Sequence, residues 1–311
     1  MGLSKNALLP ESDRRYLNVL EYHLKPISHL FSDGNVTDIV INEDSTIFAY
    51  ALDGTTEQVD AYVDPKSIAA VASLLAARTQ NDVNEDNPSV QAQWPDPPMR
   101  ISIILPPAAA VPCMTIRRFS PVVYPLSYFL ETGSCTEEQY ETMRTLILTR
   151  KNIVLSGETG SGKTTLLASL LAEIPEHDRL FIIEDTKEIR CNHLNKTMIL
   201  TGEKYSARSA VRDSLRFRPD RIIIGEVRDG AALDLLKAWN TGHPGGLCSV
   251  HANGPDTVKQ RFRDLIQEVS LSSQDALIDM TLDAVIHMAL CPDGKRRITE
   301  IREFHKGEKY A

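Results

Sequence analysis

Cysteine is sparse and unpatterned: Cys113, Cys135, Cys191, Cys248 and Cys291 are scattered singly through 311 residues, with no CxxC spacing. That usage argues against a disulfide framework or a zinc site and suits a reducing compartment, where thiols pack as small hydrophobes. Long hydrophobic runs are missing too. The longest, 101–105 and 166–171, fall far short of the ~20 residues that span a bilayer, so no transmembrane segment is expected. Residues 1–11 lack the charged, apolar, small-residue order of a secretory signal, and the expectation is a cytoplasmic protein. Nor is there an excess of basic charge: 34 Lys and Arg stand against 42 Asp and Glu, net −8. With no cluster that interleaves aromatic and basic side chains, direct nucleic-acid binding is not expected. Repeats and low-complexity tracts are absent. At 42% hydrophobic and 24% charged residues, the composition is that of an ordinary folded chain, and the length argues for two domains.

The pattern changes along the chain in a way that divides it. Residues 11–31 read as a helix broken near Pro26. Three short β-branched and aromatic runs follow, 37–42, 46–52 and 57–63, separated by Glu-Asp and Asp-Gly turns as in an antiparallel meander. Asp64 and Pro65 open a helix whose apolar face is Ile68, Val71, Leu74 and Leu75. A polar, proline-rich loop is expected over 81–98, then strands over 100–105 and 114–119. Residues 1–119 therefore form an α+β domain, and 120–133, with Pro121 and Pro125, is the linker. From 134 to 311 apolar runs alternate with helices: strands at 152–155, 180–183, 221–224 and 247–250, and helices at 163–172, 207–215, 230–239 and 255–269. That alternation predicts an α/β domain with a mostly parallel sheet covered on both faces.

The chemistry concentrates in the second domain. Gly157-Glu158-Thr159-Gly160-Ser161-Gly162-Lys163-Thr164 is G-x-x-x-x-G-K-T, placed after an apolar strand and before a helix. Its glycines let several backbone N–H groups converge on phosphate oxygens, and the helix adds the positive end of its dipole. Lys163 should reach the β- and γ-phosphates and Thr164 should complete a Mg²⁺ shell. A chance match in about 300 residues is on the order of 1%. Arg221–Ile224 runs into Gly225-Glu226, which supplies the acid expected near the metal. A second apolar run ends in Glu184, Asp185 and Glu188. There Glu188 is the candidate water-activating base, and Glu184 or Asp185 supports the metal. Two histidines, His243 and His251, flank a short strand, and His251 is a candidate γ-phosphate sensor.

Taken in order, the runs 157–165, 183–188, 215–228 and 241–253 resemble the Walker A, Asp box, Walker B and His box of the secretion ATPase superfamily, the traffic ATPases of type II and type IV secretion. The run 238–246 looks like its TrbB branch, the conjugal-transfer ATPases of type IV secretion systems. The resemblance implies a RecA-like P-loop ATPase domain, here with a smaller N-terminal α+β domain. It implies ATP and Mg²⁺ as ligands, the loop residues 157–164 and Thr165 as the nucleotide cradle, and a homo-hexamer. It further implies a place on the cytoplasmic face of a bacterial inner membrane, among the other components of a secretion or conjugation machine. The family's N-terminal arginine-bearing strands match at Arg100 and at Arg117-Arg118, which makes Arg100 and Arg117 candidate phosphate contacts. Many relatives carry Pro where this chain has Thr186, and the tetracysteine insertion of one type II branch is absent. The alternatives are a pilus extension or retraction ATPase, a RecA-like nucleic-acid translocase and a purely structural nucleotide-binding module. Glu188 together with Glu226 argues against the last.

Overall fold

The computed structural model describes residues 11–51, 53–79, 82–95, 98–119, 122–202 and 204–304. Residues 1–10, 52, 81, 120 and 121, on which parts of the sequence reading rested, lie outside them. The chain divides into two compact units, Met1–Phe119 and Ser120–Ala311.

In the first unit an antiparallel sheet is built from β1 (Val36–Ile41), β2 (Ile47–Ala51), β3 (Thr56–Gln58), β4 (Ser89–Pro95), β5 (Pro98–Ile104) and β6 (Cys113–Arg118), in the order β3-β2-β1-β6-β5-β4. Strand periodicity puts Ile39, Ile41, Met99, Ile101, Ile103 and Ile116 on one face. There they share a core with Leu17 and Leu20 of helix Glu11–His23 and with Ile68 and Val71 of helix Pro65–Thr79. The Asp64 carboxylate accepts from the Lys66 N–H at 2.8 Å, capping the second helix as expected. One expectation is corrected: part of the loop anticipated over 81–98 is β4. Its Val90 and Trp94 are buried, a period of two that the prolines masked. Pro95, the one proline of β4, is tolerated because β4 is an edge strand and Pro95 stands at its end.

The second unit is an α/β layered structure. Its strands are β7 (Ile153–Ser156), β8 (Leu180–Glu184), β9 (Lys196–Leu200), β10 (Arg221–Ile224), β11 (Leu247–Val250), β12 (Ala284–Leu290) and β13 (Arg296–Glu303). They lie in the order β13-β12-β7-β11-β10-β8-β9, and all neighbours are parallel except β13, which runs antiparallel to β12. Every residue of β7, β8, β10 and β11 is buried, and apolar clusters cover both faces. Three strands, β9, β12 and β13, are additions to the sequence reading. So is helix Glu137–Leu148, whose start carries a capping box between Thr136 and Gln139. Within the expected linker, Ser127–Glu131 forms a short helix, and Leu126 and Phe129 are buried in the second unit's core.

Strand order positions the site. The carboxyl ends of β7, β11, β10 and β8 stand side by side, so residues 157, 251, 226 and 184–188 emerge along one edge of the sheet. Ligands of open α/β sheets bind at that edge.

Candidate active site

The loop after β7 has the backbone of a phosphate cradle. Gly157, Gly160 and Gly162 have φ of +148°, +78° and +98°, conformations that side-chain-bearing residues rarely adopt. Gly162 caps helix Lys163–Ala172 in the left-handed region, aiming the helix N-terminus into the loop. The Ser161 hydroxyl is buried and has no hydrogen-bond partner among the described residues, as suits a group that bonds a ligand oxygen. Lys163 is buried, and its ammonium donates to the carbonyls of Gly157 and Glu158, both at 2.8 Å. Burial lowers its pKa, with Glu226 opposing that shift and Arg228 reinforcing it. Thr164 and Thr165 follow on the first turn of the helix, half-buried, while Glu158 and Thr159 are exposed on the loop.

Glu226 emerges just beyond β10. The Arg228 Nε and Nη2 donate to its two oxygens at 2.7 and 2.8 Å, and His251 Nε2 lies 3.1 Å from Oε1. Burial pushes the Glu226 pKa up, but the guanidinium, His251 and Lys163 together bring it below the ordinary carboxylate value. The carboxylate is thus ionised at neutral pH. Burial lowers the His251 pKa, and Lys163 and Arg228 lower it further. Glu226 and a backbone hydrogen bond with Gly157 oppose them. The imidazole stands between the phosphate loop and Glu226.

Arg228 also donates to Asp185 at 2.5 Å, and the Glu188 charge acts on it as well. One guanidinium thus joins Glu226 and Asp185, acids from two strand ends. Glu184 differs from its neighbours. It is buried, and its Oε1 accepts from the backbone N–H of Glu188 and Ile189 at 2.9 and 2.6 Å. Burial raises its pKa to about 7. This side chain, expected beside a metal, is committed to shaping the loop that presents Glu188. Glu188 N–H also reaches the Thr186 carbonyl at 2.8 Å, so the chain turns tightly there with threonine in place of proline. Among the described residues no group of three or more His, Cys, Asp or Glu side chains is arranged to hold a metal by itself.

The two histidines part company. His243 precedes β11 and bonds the Pro219 carbonyl at 2.9 Å, before the start of β10. His251 follows β11 at the opposite, carboxyl end. Arg100 and Arg117 belong to the first unit, directly opposite each other on β5 and β6. Arg100 donates to Gln91 at 3.0 Å and Arg117 to Asp38 at 2.7 Å, on the sheet face turned away from that unit's core. Like charges facing each other across strands are unfavourable unless an anion joins them.

Sequence reasoning missed the roles of Arg228 and His287. Arg228 carried a signal, as a cation two residues after the strand-end acid. His287, on β12, bonds the Ser156 hydroxyl at 2.8 Å, and nothing local to it in sequence announced that.

Comparison with known proteins places this geometry. The type II/IV secretion system protein family matches residues 22–310, and the chain belongs to that family. Among relatives, the probable conjugal transfer protein TrbB of Sinorhizobium fredii is 36% identical over 283 residues, covering 90% of this chain and 85% of the relative. The solved VirB11 ATPase of the Brucella suis type IV secretion system, in complex with sulphate, has 25% identity and a TM-score of 0.50, covering 92% and 97% of the two chains. The Legionella pneumophila ATPase DotB shares the fold, with 21% identity and a TM-score of 0.61 over 89% and 79%. The protein is accordingly a secretion ATPase, an ATP hydrolase of the RecA-like P-loop class.

Proposed function

We propose that this ATPase powers a conjugative type IV secretion machine as a homo-hexamer at the cytoplasmic face of a bacterial inner membrane, driving pilus assembly or substrate translocation. The relatives' names support the machine; among the described residues no helix is long and apolar enough to cross a membrane. The observation that carries the catalytic reading is the convergence at one sheet edge of a buried Lys163, an ionised Glu226 and His251, beside a loop whose buried Ser161 hydroxyl has no partner among the described residues.

The residues divide the work. The N–H groups of 157–164 and the helix N-terminus bind the phosphates, and Lys163 exchanges its two carbonyl partners for the β- and γ-oxygens. Thr164, Glu226 and Asp185 would hold a Mg²⁺ ion, which would supply charge neutralisation across the phosphates. Glu188, on the loop held by Glu184, takes the proton of the attacking water. His251, in contact with both Gly157 and Glu226, senses whether the γ-phosphate is present. Arg100 and Arg117 supply a guanidinium pair to a bound nucleotide, completing the neutralisation of transferring oxygens.

The test is ATPase activity and native mass of purified protein. The expectation is Mg²⁺-dependent hydrolysis by a six-subunit species, unstimulated by single- or double-stranded DNA, and abolished with weakened nucleotide binding in a folded Lys163→Ala variant. Wild-type turnover in that variant would sink the phosphate-loop assignment, and strong stimulation by DNA would favour a nucleic-acid translocase.

A further inference from the structure

The phosphate loop is braced from outside all four motifs by the hairpin β12–β13. His287 holds Ser156, the last residue before the loop, at 2.8 Å. The β12–β13 register shifts between His287 and Met288, and the Met288 carbonyl lies 2.2 Å from where a Cβ on Gly157 would stand. Bulges of this kind re-aim backbone next to active sites. On β13, the Arg296 Nε donates to the Gly160 carbonyl at 2.7 Å, and its Cδ lies 3.5 Å from where a Cβ on Gly162 would stand.

The last contact has a geometric consequence. A planar trans peptide points its C=O and the following N–H to opposite sides. Drawing the Gly160 carbonyl out to Arg296 therefore turns the Ser161 N–H inward, where it meets the Glu158 carbonyl at a long 3.3 Å, a weak bond that a phosphate oxygen can displace. Gly160 has φ +78° and open space where a side chain would stand, so its peptide is free of the steric limits that fix other residues.

We propose that Arg296 is a positioning residue for nucleotide binding: through the Gly160 carbonyl it holds the Gly160–Ser161 peptide with its N–H facing the phosphates. The proposal rests on the reading of 157–164 as a phosphate cradle. It assigns a function to a β13 arginine that lies more than 130 residues from the loop it serves.

The experiment measures dissociation constants for ADP and ATP, together with kcat and KM, on the full chain. Arg296→Met keeps the aliphatic stem beside Gly162 and removes the donor. It should weaken ADP and ATP equally, by about tenfold, the order expected for one charge-assisted hydrogen bond. KM should rise while kcat stays within about threefold, and the melting temperature without nucleotide should be unchanged. Arg296→Lys, which can still donate to the carbonyl, should recover most of the affinity. Arg297→Ala, at a neighbour engaged by Asp293, should bind as wild type. Unchanged affinity in Arg296→Met would overturn the proposal. So would a kcat collapse with normal ADP binding, which would make Arg296 a transition-state contact, or an equal loss in Arg297→Ala. If Arg296→Met fails to fold, Arg296→Leu is measured in its place by the same criteria. Lys163→Ala separates the two levels: if it too leaves affinity unchanged, the cradle reading fails, whereas loss in Lys163→Ala alone removes only the role of Arg296.

Discussion

Gly157→Ala tests how much of nucleotide binding is carried by backbone shape. A Cβ at this position would stand 2.2 Å from the Met288 carbonyl oxygen and 2.7 Å from Ser161 Oγ, at φ +148°. The serine could rotate away, but the carbonyl belongs to β12, paired on both sides within the sheet. The backbone conformation costs an alanine roughly 1–3 kcal/mol, and the overlap adds about 1–3 kcal/mol. A total of about 2–6 kcal/mol is comparable with the ~5–15 kcal/mol that holds a domain together, so the loop gives way before the sheet does. Gly160→Ala is the internal control: φ is +78° but no atom lies within 4 Å of the Cβ position, and the cost is about 1–2 kcal/mol. Calorimetric titration with ADP, beside thermal unfolding, reads both. Gly157→Ala should bind at least about 100-fold more weakly, close to 2.7 kcal/mol. Its melting temperature should fall by roughly 2–4 °C per kcal/mol not absorbed by the loop, and Gly160→Ala should lose much less on both scales. Near-normal ADP affinity in Gly157→Ala, or equal damage from the two substitutions, would refute the reasoning.

Three further outcomes follow from the same geometry. Glu188→Gln should retain Mg-ATP and hydrolyse it poorly, whereas Glu226→Gln should also shift the Mg²⁺ requirement; identical Mg²⁺ titrations for the two would count against separate roles. Arg100→Ala or Arg117→Ala should leave a folded oligomer whose ATPase is reduced by about 10³-fold if the guanidinium meets the transferring phosphoryl group. A drop near tenfold would reduce it to a binding contact, and recovery on mixing with Lys163→Ala subunits would show action on a neighbour's site. Glu184 keeps its proton to about pH 7 in the fold, against an ordinary value near 4.5 when unfolded. Its contribution is therefore present below pH 4.5 and is lost as pH rises toward 7, about 3 kcal/mol in all at roughly 1.4 kcal/mol per pH unit. Urea unfolding of metal-free Glu184→Gln, in which the amide oxygen still accepts from Glu188 and Ile189, should show a flatter pH profile over that interval, and an unaltered profile would contradict the assignment.

Residues near in sequence determined the phosphate loop and the class of the second unit. An apolar strand, three glycines and a helix start within a dozen positions form a cradle by local geometry, whatever surrounds them. The apolar runs of β7, β8, β10 and β11 announce buried parallel strands because both of their faces must be covered. Elements whose cause is distant stayed hidden. β4 hid in a proline-rich stretch until an edge position gave Pro95 room, and the hairpin β12–β13 carries no motif because its partners lie 131 and 136 residues away, at Ser156 and Gly160.

The tertiary structure also changed what familiar residues do. Glu184, Asp185 and Glu188 read alike as strand-end acids, yet only the fold buries the first on two amides and leaves Asp185 to Arg228. His243 and His251 look like a pair until β11 carries them to opposite ends of the sheet. The run from Ala238 to Gly246, distinctive in sequence, owes its last glycine to packing. The Trp239 indole donates to the Ile222 carbonyl at 3.0 Å, and its Nε1 sits 1.9 Å from where a Cβ on Gly246 would stand. Short-range backbone preference is written in consecutive residues and can be read there. Which side chain meets which carbonyl depends on strand order and register, and those are settled only when the whole sheet closes around its core.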